Sequence, residues 1–461
     1  MSQLPHPSSL PPALIELTEW DAQDPSNNAS LKGLSFGDAQ TRRYAQTLRD
    51  RVVIREGRDG IEVETNSHVG RIDVGPIRVA IGPKLPAMPL GRLLRYTYGL
   101  RDIEAISETH SPTSLQGFQD ILISLLAAEV EDLLRQGLAR QYRSRSEMLA
   151  SPRGELLFSE LIRLGGILEP RLPCRFFERS PDWRLNGILR TGVQLAIRLT
   201  EDRDLRQQLY QVDSLFGQVQ PFTRLSVHDI DHASRALTRL TENAEPALTL
   251  IRLVLEGQGL AFAEEKHLTA MTGFLFDMNK FFQRLLSRFL RENLYGLQIE
   301  DERSVHQLLA FAKDGNPRKR TAPKLRPDYA LFDGVTPRGY LDAKYRDIWS
   351  MGLPPNWLYQ LAMYALGSPT QVSVLLYATM SDEASDERIE VQQPLRSSDV
   401  PPASVILRPV PVTRLAKLVG RSKAGQFGAE RRIFAHQLVA MQSGAIGTKT
   451  SRAGRSEAYE H

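Results

Sequence analysis

The sequence predicts a multidomain α/β protein: a β-rich N-terminal domain, a mainly helical middle region, and a C-terminal domain that mixes strands with helices. Between Val52 and Lys84, short apolar runs alternate with Gly, Asn and Pro turn signals. From Leu90 the apolar spacing lengthens to that of helices, and beyond Phe274 strand-like and helix-like stretches follow one another. At 461 residues, 41% hydrophobic and 24% charged, the chain has the composition of a soluble globular protein and length for roughly two to four cores.

Residues 1–13 carry prolines at 5, 7, 11 and 12 and read as a flexible arm. Leu14 to Trp20 alternates as an opening strand, and Gly37 to Arg51 forms a short helix. Strands follow at Val52 to Arg55, Ile61 to Thr65, His68 to Val74 and Ile77 to Ile81, which gives a β-rich domain over residues 14–90. Residues 91–264 are the helical region. Leu115 to Tyr142 reads there as one long amphipathic helix, and Gly154 to Ile167, Leu185 to Leu199, Asp229 to Glu242 and Pro246 to Glu256 continue the pattern. Pro170, Pro173 and Pro181 interrupt it.

In the third domain, residues 265–420, Lys324 to Gly334 and Gly339 to Arg346 form a two-stranded unit punctuated by Asp333-Gly334 and Pro337. Asn356 to Leu366 is a helix, and Val372 to Ala378 and Ser404 to Val410 are further strands, with a charged turn over Asp382 to Arg388. Residues 421–461 supply a basic helix over Arg421 to Ala440 and then a Gly, Ser and Thr tail that cannot bury a core and is expected to be disordered.

The net charge of +4 permits nucleic-acid binding without demanding it. Cys174 is the only cysteine, which excludes an internal disulfide and a multi-cysteine zinc site and fits a reducing cytoplasm. No apolar run is long enough to span a bilayer, and the N-terminus lacks a basic-then-apolar leader. A cytoplasmic location is expected. Phosphate-binding loops, dinucleotide glycine patterns and nucleophile elbows are all missing, so any NTP hydrolysis must come from another chain.

The chemistry concentrates in the two-stranded unit. Side chains two apart on a strand share a face, so Tyr340, Asp342 and Lys344 project together. If the preceding strand pairs alongside, Asp328 approaches the same point. Two carboxylates suit Mg²⁺ as hard oxygen donors, and a lysine beside them can orient a water molecule and offset charge on a phosphoryl oxygen. The bland alternative is a surface ion pair. Against it, the apolar flanks bury both strands, and buried Asp and Lys are uncommon without a role.

Lys313, Arg318, Lys319, Arg320, Lys324 and Arg326 precede the unit against the single Asp314. Such a run usually means a solvated loop, but beside this constellation phosphate neutralisation is the better reading, giving affinity rather than base recognition. Gln360 and Tyr364 sit one helical turn apart downstream. His228 and His232 have helical spacing but no third ligand, so a polar helix surface is expected there.

Pro327-Asp328 followed by Asp342-Ala343-Lys344 resembles the PD-(D/E)xK signature of metal-dependent nucleases. Wider segments resemble the McrC family, the nuclease subunit of a modification-dependent restriction system. They are Ile15 to Trp20, Val69-Gly70-Arg71-Ile72, Ile81 to Leu85, Pro152-Arg153-Gly154-Glu155-Leu156, Cys174 to Glu178 with Leu185 to Leu189, and Phe274 to Phe282. This resemblance, in order from about residue 14 to residue 366, implies a PD-(D/E)xK nuclease-like α/β domain with a mixed central sheet.

By the same resemblance, Asp328 and Asp342 bind Mg²⁺, Lys344 positions the attacking water, and Gln360 lies beside the centre, where its amide reaches a scissile phosphate or the water. It also implies a partner, an McrB-like AAA+ GTPase ring that reads modified double-stranded DNA (5-methylcytosine), with the N-terminal half of this chain docking into it and residues 14–90 as the partner-docking domain. Where the family has a glutamate after its Asp-Met-Asn-Lys helix start, this chain has Gln283, an uncharged donor; Asp277 and Glu292 are candidate substitutes, with helix capping the simpler role for Asp277. Two alternatives stay open: a catalytically silent activator of a partner NTPase, which Gln283 favours, and a stand-alone DNA repair nuclease.

Overall fold

The computed structural model describes residues 12–100, 117–163, 170–181, 183–262, 273–304, 308–312, 314–392, 402–420 and 427–442. Nearly all of the expected N-terminal arm, and the tail from 443 onward, lie outside them.

The N-terminal elements are β1 (Ala13–Thr18), β2 (Ala22–Gln23), α1 (Ala39–Thr47), β3 (Val52–Glu56), β4 (Ile61–Thr65), β5 (His68–Val74) and β6 (Ile77–Gly82). Period-two alternation sends Ile15, Leu17, Ile54, Val63, Ile72, Val74, Val79 and Ile81 into one core between two small sheets. Asp38 caps α1 by accepting from the Thr41 amide at 2.7 Å.

The middle region opens with α2 (Ala87–Tyr98) and α3 (Gly117–Arg135). The single helix expected up to Tyr142 is a misreading: α3 stops at Arg135, Gly137 turns the chain at φ +93°, and a strand begins. That strand, β7 (Arg140–Leu149), is followed by β8 (Glu155–Leu156), α4 (Phe158–Arg163) and β9 (Leu172–Pro181). β7 and β9 pair antiparallel over their whole length, from Arg140 opposite Pro181 to Leu149 opposite Leu172. The prolines that suggested a break stand near the ends of β9, where a missing amide is tolerated. This ribbon is about 33 Å long at the usual strand rise; Tyr142 and Phe177 are exposed on it, and Phe158 and Ile162 are exposed on α4, which packs against β9. At its root, buried Asn186 bonds the backbone of Ala139 on both sides, at 3.1 and 3.0 Å.

Asn186 belongs to α5 (Trp183–Leu199), which packs with α6 (Arg203–Ser214), α7 (Val227–Arg235) and α8 (Glu245–Phe262) into the helical core. Next, β10 (Gly273–Asp277) pairs antiparallel with β5 and completes a sheet in the order β1-β6-β5-β10. A strand from the segment expected to open the C-terminal domain is therefore the edge of the N-terminal sheet.

The remaining elements are α9 (Met278–Asn293), β11 (Gln298–Asp301), β12 (Tyr329–Asp333), β13 (Thr336–Lys344), α10 (Ile348–Met351), α11 (Pro355–Leu366), β14 (Val372–Thr379), β15 (Glu387–Val391), β16 (Ala403–Pro411), α12 (Val412–Val419) and α13 (Gly428–Val439). Six strands make a mixed sheet, β11-β12-β13-β14-β16-β15, parallel between β13, β14 and β16 and antiparallel elsewhere. β14 and β16 are buried along their whole length and read as near-continuous apolar runs, because helices cover both faces. Leu341, Ala343, Val374, Leu376 and Ile406 face α9 and the main core; Leu375, Tyr377, Val405 and Leu407 face α11 through Leu361 and Tyr364. The chain is thus multidomain α/β. Among the described residues no helix is long and apolar enough to cross a membrane.

Candidate active site

Strand alternation sends Leu341 and Ala343 into the main core, so Asp342 and Lys344 emerge on the α11 side of the sheet. Asp328, immediately before β12, comes alongside because Tyr329 pairs with Leu341. The three side chains converge: Lys344 Nζ lies 2.7 Å from Asp342 Oδ2 and 3.9 Å from Asp328 Oδ2. The Ala343 amide donates to Asp328 Oδ2 at 2.7 Å and fixes that carboxylate against β13. Asp342 is 3% exposed, so the surface-pair alternative does not describe this cluster.

Burial and the neighbouring Asp342 push the Asp328 carboxyl up to about 7. Burial opposes the Lys344 charge, but the two carboxylates and its bond to Asp342 outweigh it and hold the ammonium above the usual lysine range. Lys344 also sits 5.9 Å from the centre of the Trp357 ring. Gln283, on α9, hydrogen-bonds Asp328, and both line a cleft of about 1060 Å³ that runs along Lys280, Arg284, Arg288 and Arg291 of the same helix.

This donor set suits a hard divalent cation. Two carboxylates repel each other in a partly desolvated corner, and a cation between them would remove the cost seen in the raised Asp328 carboxyl. The Gln283 amide N–H donates to the same Asp328 carboxyl. Among the described residues no group of three or more His, Cys, Asp or Glu side chains gathers to hold a metal.

Neither candidate substitute for the missing glutamate reaches the centre. Asp277 caps α9, accepting from the amides of Asn279 and Lys280 at 3.0 and 3.1 Å. Glu292 stands nine residues along α9 from Gln283, about 13 Å at the helical rise, bound to Arg288 and to the Tyr96 hydroxyl.

Gln360 is exposed on α11 and donates to the Tyr364 hydroxyl at 2.7 Å, which in turn donates to the Arg326 carbonyl at 2.9 Å. Burial and nearby Asp342 raise the Tyr364 hydroxyl well above its ordinary range, so it remains protonated. Arg318, Lys319, Arg320, Lys324 and Arg326 are exposed on the segment leading to Asp328; Lys313 lies outside the described residues. His228 and His232 are both exposed on α7, as a polar helix surface requires.

Sequence reasoning missed the residues that anchor the end of β13. The Tyr345 amide donates to Asn279 Oδ1 at 2.7 Å, and the Tyr345 carbonyl accepts from Trp20 Nε1 at 2.9 Å. Asn279 also donates to Ser67 Oγ at 3.0 Å. Glu19, fully buried, accepts from the Lys84 amide at 2.6 Å and bonds the Tyr345 hydroxyl. Asn279 stood inside a quoted motif, but nothing in its spacing reveals a backbone clamp.

The family model described as McrBC 5-methylcytosine restriction system component matches residues 63–378, well over half of the chain. Among solved structures, the chain is similar to one in the refined half-complex from a tetradecameric assembly of Thermococcus gammatolerans McrB AAA+ hexamers with bound McrC. Identity there is 19%, coverage 91% of this chain and 99% of that one, and the TM-score 0.57. A second similar chain, from the cryo-EM structure of the Thermococcus gammatolerans McrBC complex, has 20% identity over 61% of this chain and 88% of its own, with a TM-score of 0.44. No curated protein matches.

Proposed function

This chain belongs to the McrBC 5-methylcytosine restriction system component family, and from that premise we propose that it is the DNA-cleaving subunit of a modification-dependent restriction system. The observation that carries the reading is the convergence of Asp328, Asp342 and Lys344 at one end of a mixed sheet. In this reading residues 265–420, apart from β10, form a PD-(D/E)xK nuclease-like domain, and Asp328 and Asp342 hold Mg²⁺.

The ion, when bound, supplies positive charge beside the scissile phosphate and acidifies a water molecule. The protein's residues do the rest. Lys344, kept protonated by its two carboxylates, is no general base near neutral pH; its ammonium orients the water and offsets charge developing on the phosphate. Gln360 is free on its exposed side to turn from Tyr364 and donate to a phosphate oxygen. Arg318, Lys319, Arg320, Lys324 and Arg326, with Lys313, neutralise backbone phosphates and give affinity that falls with salt.

The proposed partner is an AAA+ GTPase ring like the McrB hexamers of the similar Thermococcus assembly. The ribbon of β7 and β9 suits docking, since Tyr142 and Phe177 lie exposed on it and Phe158 and Ile162 lie exposed on the adjoining α4. Residues 14–90 would then brace the catalytic domain while the ribbon, from the 91–264 region, engages the ring.

A second reading, a silent activator of the partner, draws on Gln283, which contributes no negative charge to the metal site. Methylated and unmethylated DNA incubated with this chain, its partner NTPase, NTP and Mg²⁺ separates the two. Cleavage restricted to methylated DNA and lost in Lys344→Ala supports the nuclease subunit. Stimulated NTP hydrolysis with intact DNA supports the activator, and cleavage without partner or NTP points to a stand-alone nuclease.

A further inference from the structure

We propose that Arg346, held between Trp20 and Trp357, is a binding site for a backbone phosphate of the DNA strand next to the reaction centre. Its guanidinium carbon lies 4.9 Å from the centre of the Trp20 ring and 5.8 Å from that of Trp357. Arg346 Nε is buried and has no hydrogen-bond partner. Glu19 and Asp347 line the same cavity of about 70 Å³, where Glu19 accepts from the Lys84 amide and Asp347 from the Thr379 hydroxyl rather than from the guanidinium. Burial lowers the guanidinium from its ordinary range. A structural arginine in this position would be expected to pair with a carboxylate, as Arg408 and Arg190 do here.

The position relative to the centre matters most. Trp357 is shared, with Lys344 Nζ 5.9 Å from its ring centre and Arg346 5.8 Å from it, so one indole carries the catalytic-centre ammonium and this second cation. Trp20 comes from the N-terminal domain with φ +56°, a backbone conformation that large side chains rarely adopt, and its Nε1 bond to the Tyr345 carbonyl holds it there. The stack therefore holds a flat guanidinium in one orientation on a half-buried side chain, the shape that suits a phosphate and that lysine cannot reproduce. This inference rests on the reading of Asp328, Asp342 and Lys344 as a phosphodiester-cleaving centre for its position, and on Arg346 alone for its ligand.

The test is binding of a short DNA duplex to the full-length chain without divalent cation, with salt varied from about 50 to 200 mM. Arg346→Ala is expected to raise Kd about tenfold at the low-salt end and to reduce the salt slope by about one phosphate contact. Arg346→Lys is expected to keep the slope and recover only part of the affinity, because the charge survives and the fork does not. Should Arg346→Ala fail to fold, Arg346→Gln carries the same comparison. An unchanged slope in a folded Arg346→Ala or Arg346→Gln protein overturns the inference, as does a wild-type chain that does not bind duplex. The two readings separate cleanly. If Lys344→Ala abolishes cleavage while Arg346→Ala leaves the slope unaltered, the centre stands and the phosphate site falls. If Arg346→Ala flattens the slope while Lys344→Ala still cuts, the phosphate site stands in a chain whose cutting centre lies elsewhere.

Discussion

At the scale of single residues, the centre is a balance of like charges, and Gln283 sits where that balance is tuned. Gln283→Glu adds a third carboxyl beside Asp328. It is expected to lower the Mg²⁺ concentration for half-maximal cleavage several-fold and to lower the melting temperature of the metal-free chain; a Mg²⁺ titration and a melting curve measure both. Glu19 offers a second test. Burial raises its carboxyl from the ordinary 4.5 to about 7. The folded chain then holds a proton that the unfolded chain has released, so this residue's share of stability is complete below about pH 4.5 and is lost as pH rises through about 7. Glu19→Gln is expected to be more stable than wild type at pH 8 by on the order of 3 kcal/mol, and so to melt at a higher temperature, with the difference vanishing near pH 4. Melting curves at the two pH values check this. Asp342 and Lys344 were legible because their strand spacing is a local rule. Asn279, Glu19 and Trp20 were not, because each acts on the backbone of Tyr345 from a distant stretch of chain.

At the scale of elements, one buried charge ties the sheet to the last helix. Arg408, fully buried on β16, makes a bidentate pair with Asp386 and donates to the carbonyls of Leu438, Ala440 and Gln442 where α13 ends. Removing one partner leaves a buried charge uncompensated, so Arg408→Ala is expected to destabilise the chain by about 3–5 kcal/mol in a denaturant titration. The ribbon should behave in the opposite way. Phe177→Asp, at a position 67% exposed, is expected to change stability by less than about 0.5 kcal/mol while abolishing stimulation of the partner NTPase; unfolding and NTPase assays separate those effects. Strands β3 to β6 were readable from short, largely alternating apolar runs between turn residues, and β14 from its near-continuous apolar run. The ribbon was not, since β7 exposes residues on both faces and lacks the alternation that marks a half-buried strand, while the alternation of Cys174 and Phe176 with exposed Arg175 and Phe177 in β9 is short and set among prolines. Helical spacing across Leu133 and Leu134 carried the reading past Gly137, where only the left-handed turn reveals the stop.

At the scale of the whole molecule, the N-terminal sheet and the six-stranded sheet are joined beside the candidate centre. β10 ends in Asp277, which caps α9; α9 presents Gln283 to Asp328 and Asn279 to Tyr345; and Trp20, just beyond β1, closes on the residues that follow Lys344. The N-terminal sheet is thus tied to the end of β13 through the Trp20–Tyr345 bond and the Ser67–Asn279–Tyr345 chain of bonds. Patterning could show that several domains exist, but not that the edge strand of one is supplied by the segment leading into another. The account depends on Asp328, Asp342 and Lys344 cutting DNA, and the most direct measurement is the Mg²⁺-dependent cleavage rate of Asp342→Ala against wild type, both folded and both bound to the partner. The expected result is a loss of at least about 100- to 1,000-fold, the cost of removing an electrostatic stabiliser of the transition state, with NTPase stimulation retained. Cleavage at the wild-type rate in that variant would contradict it.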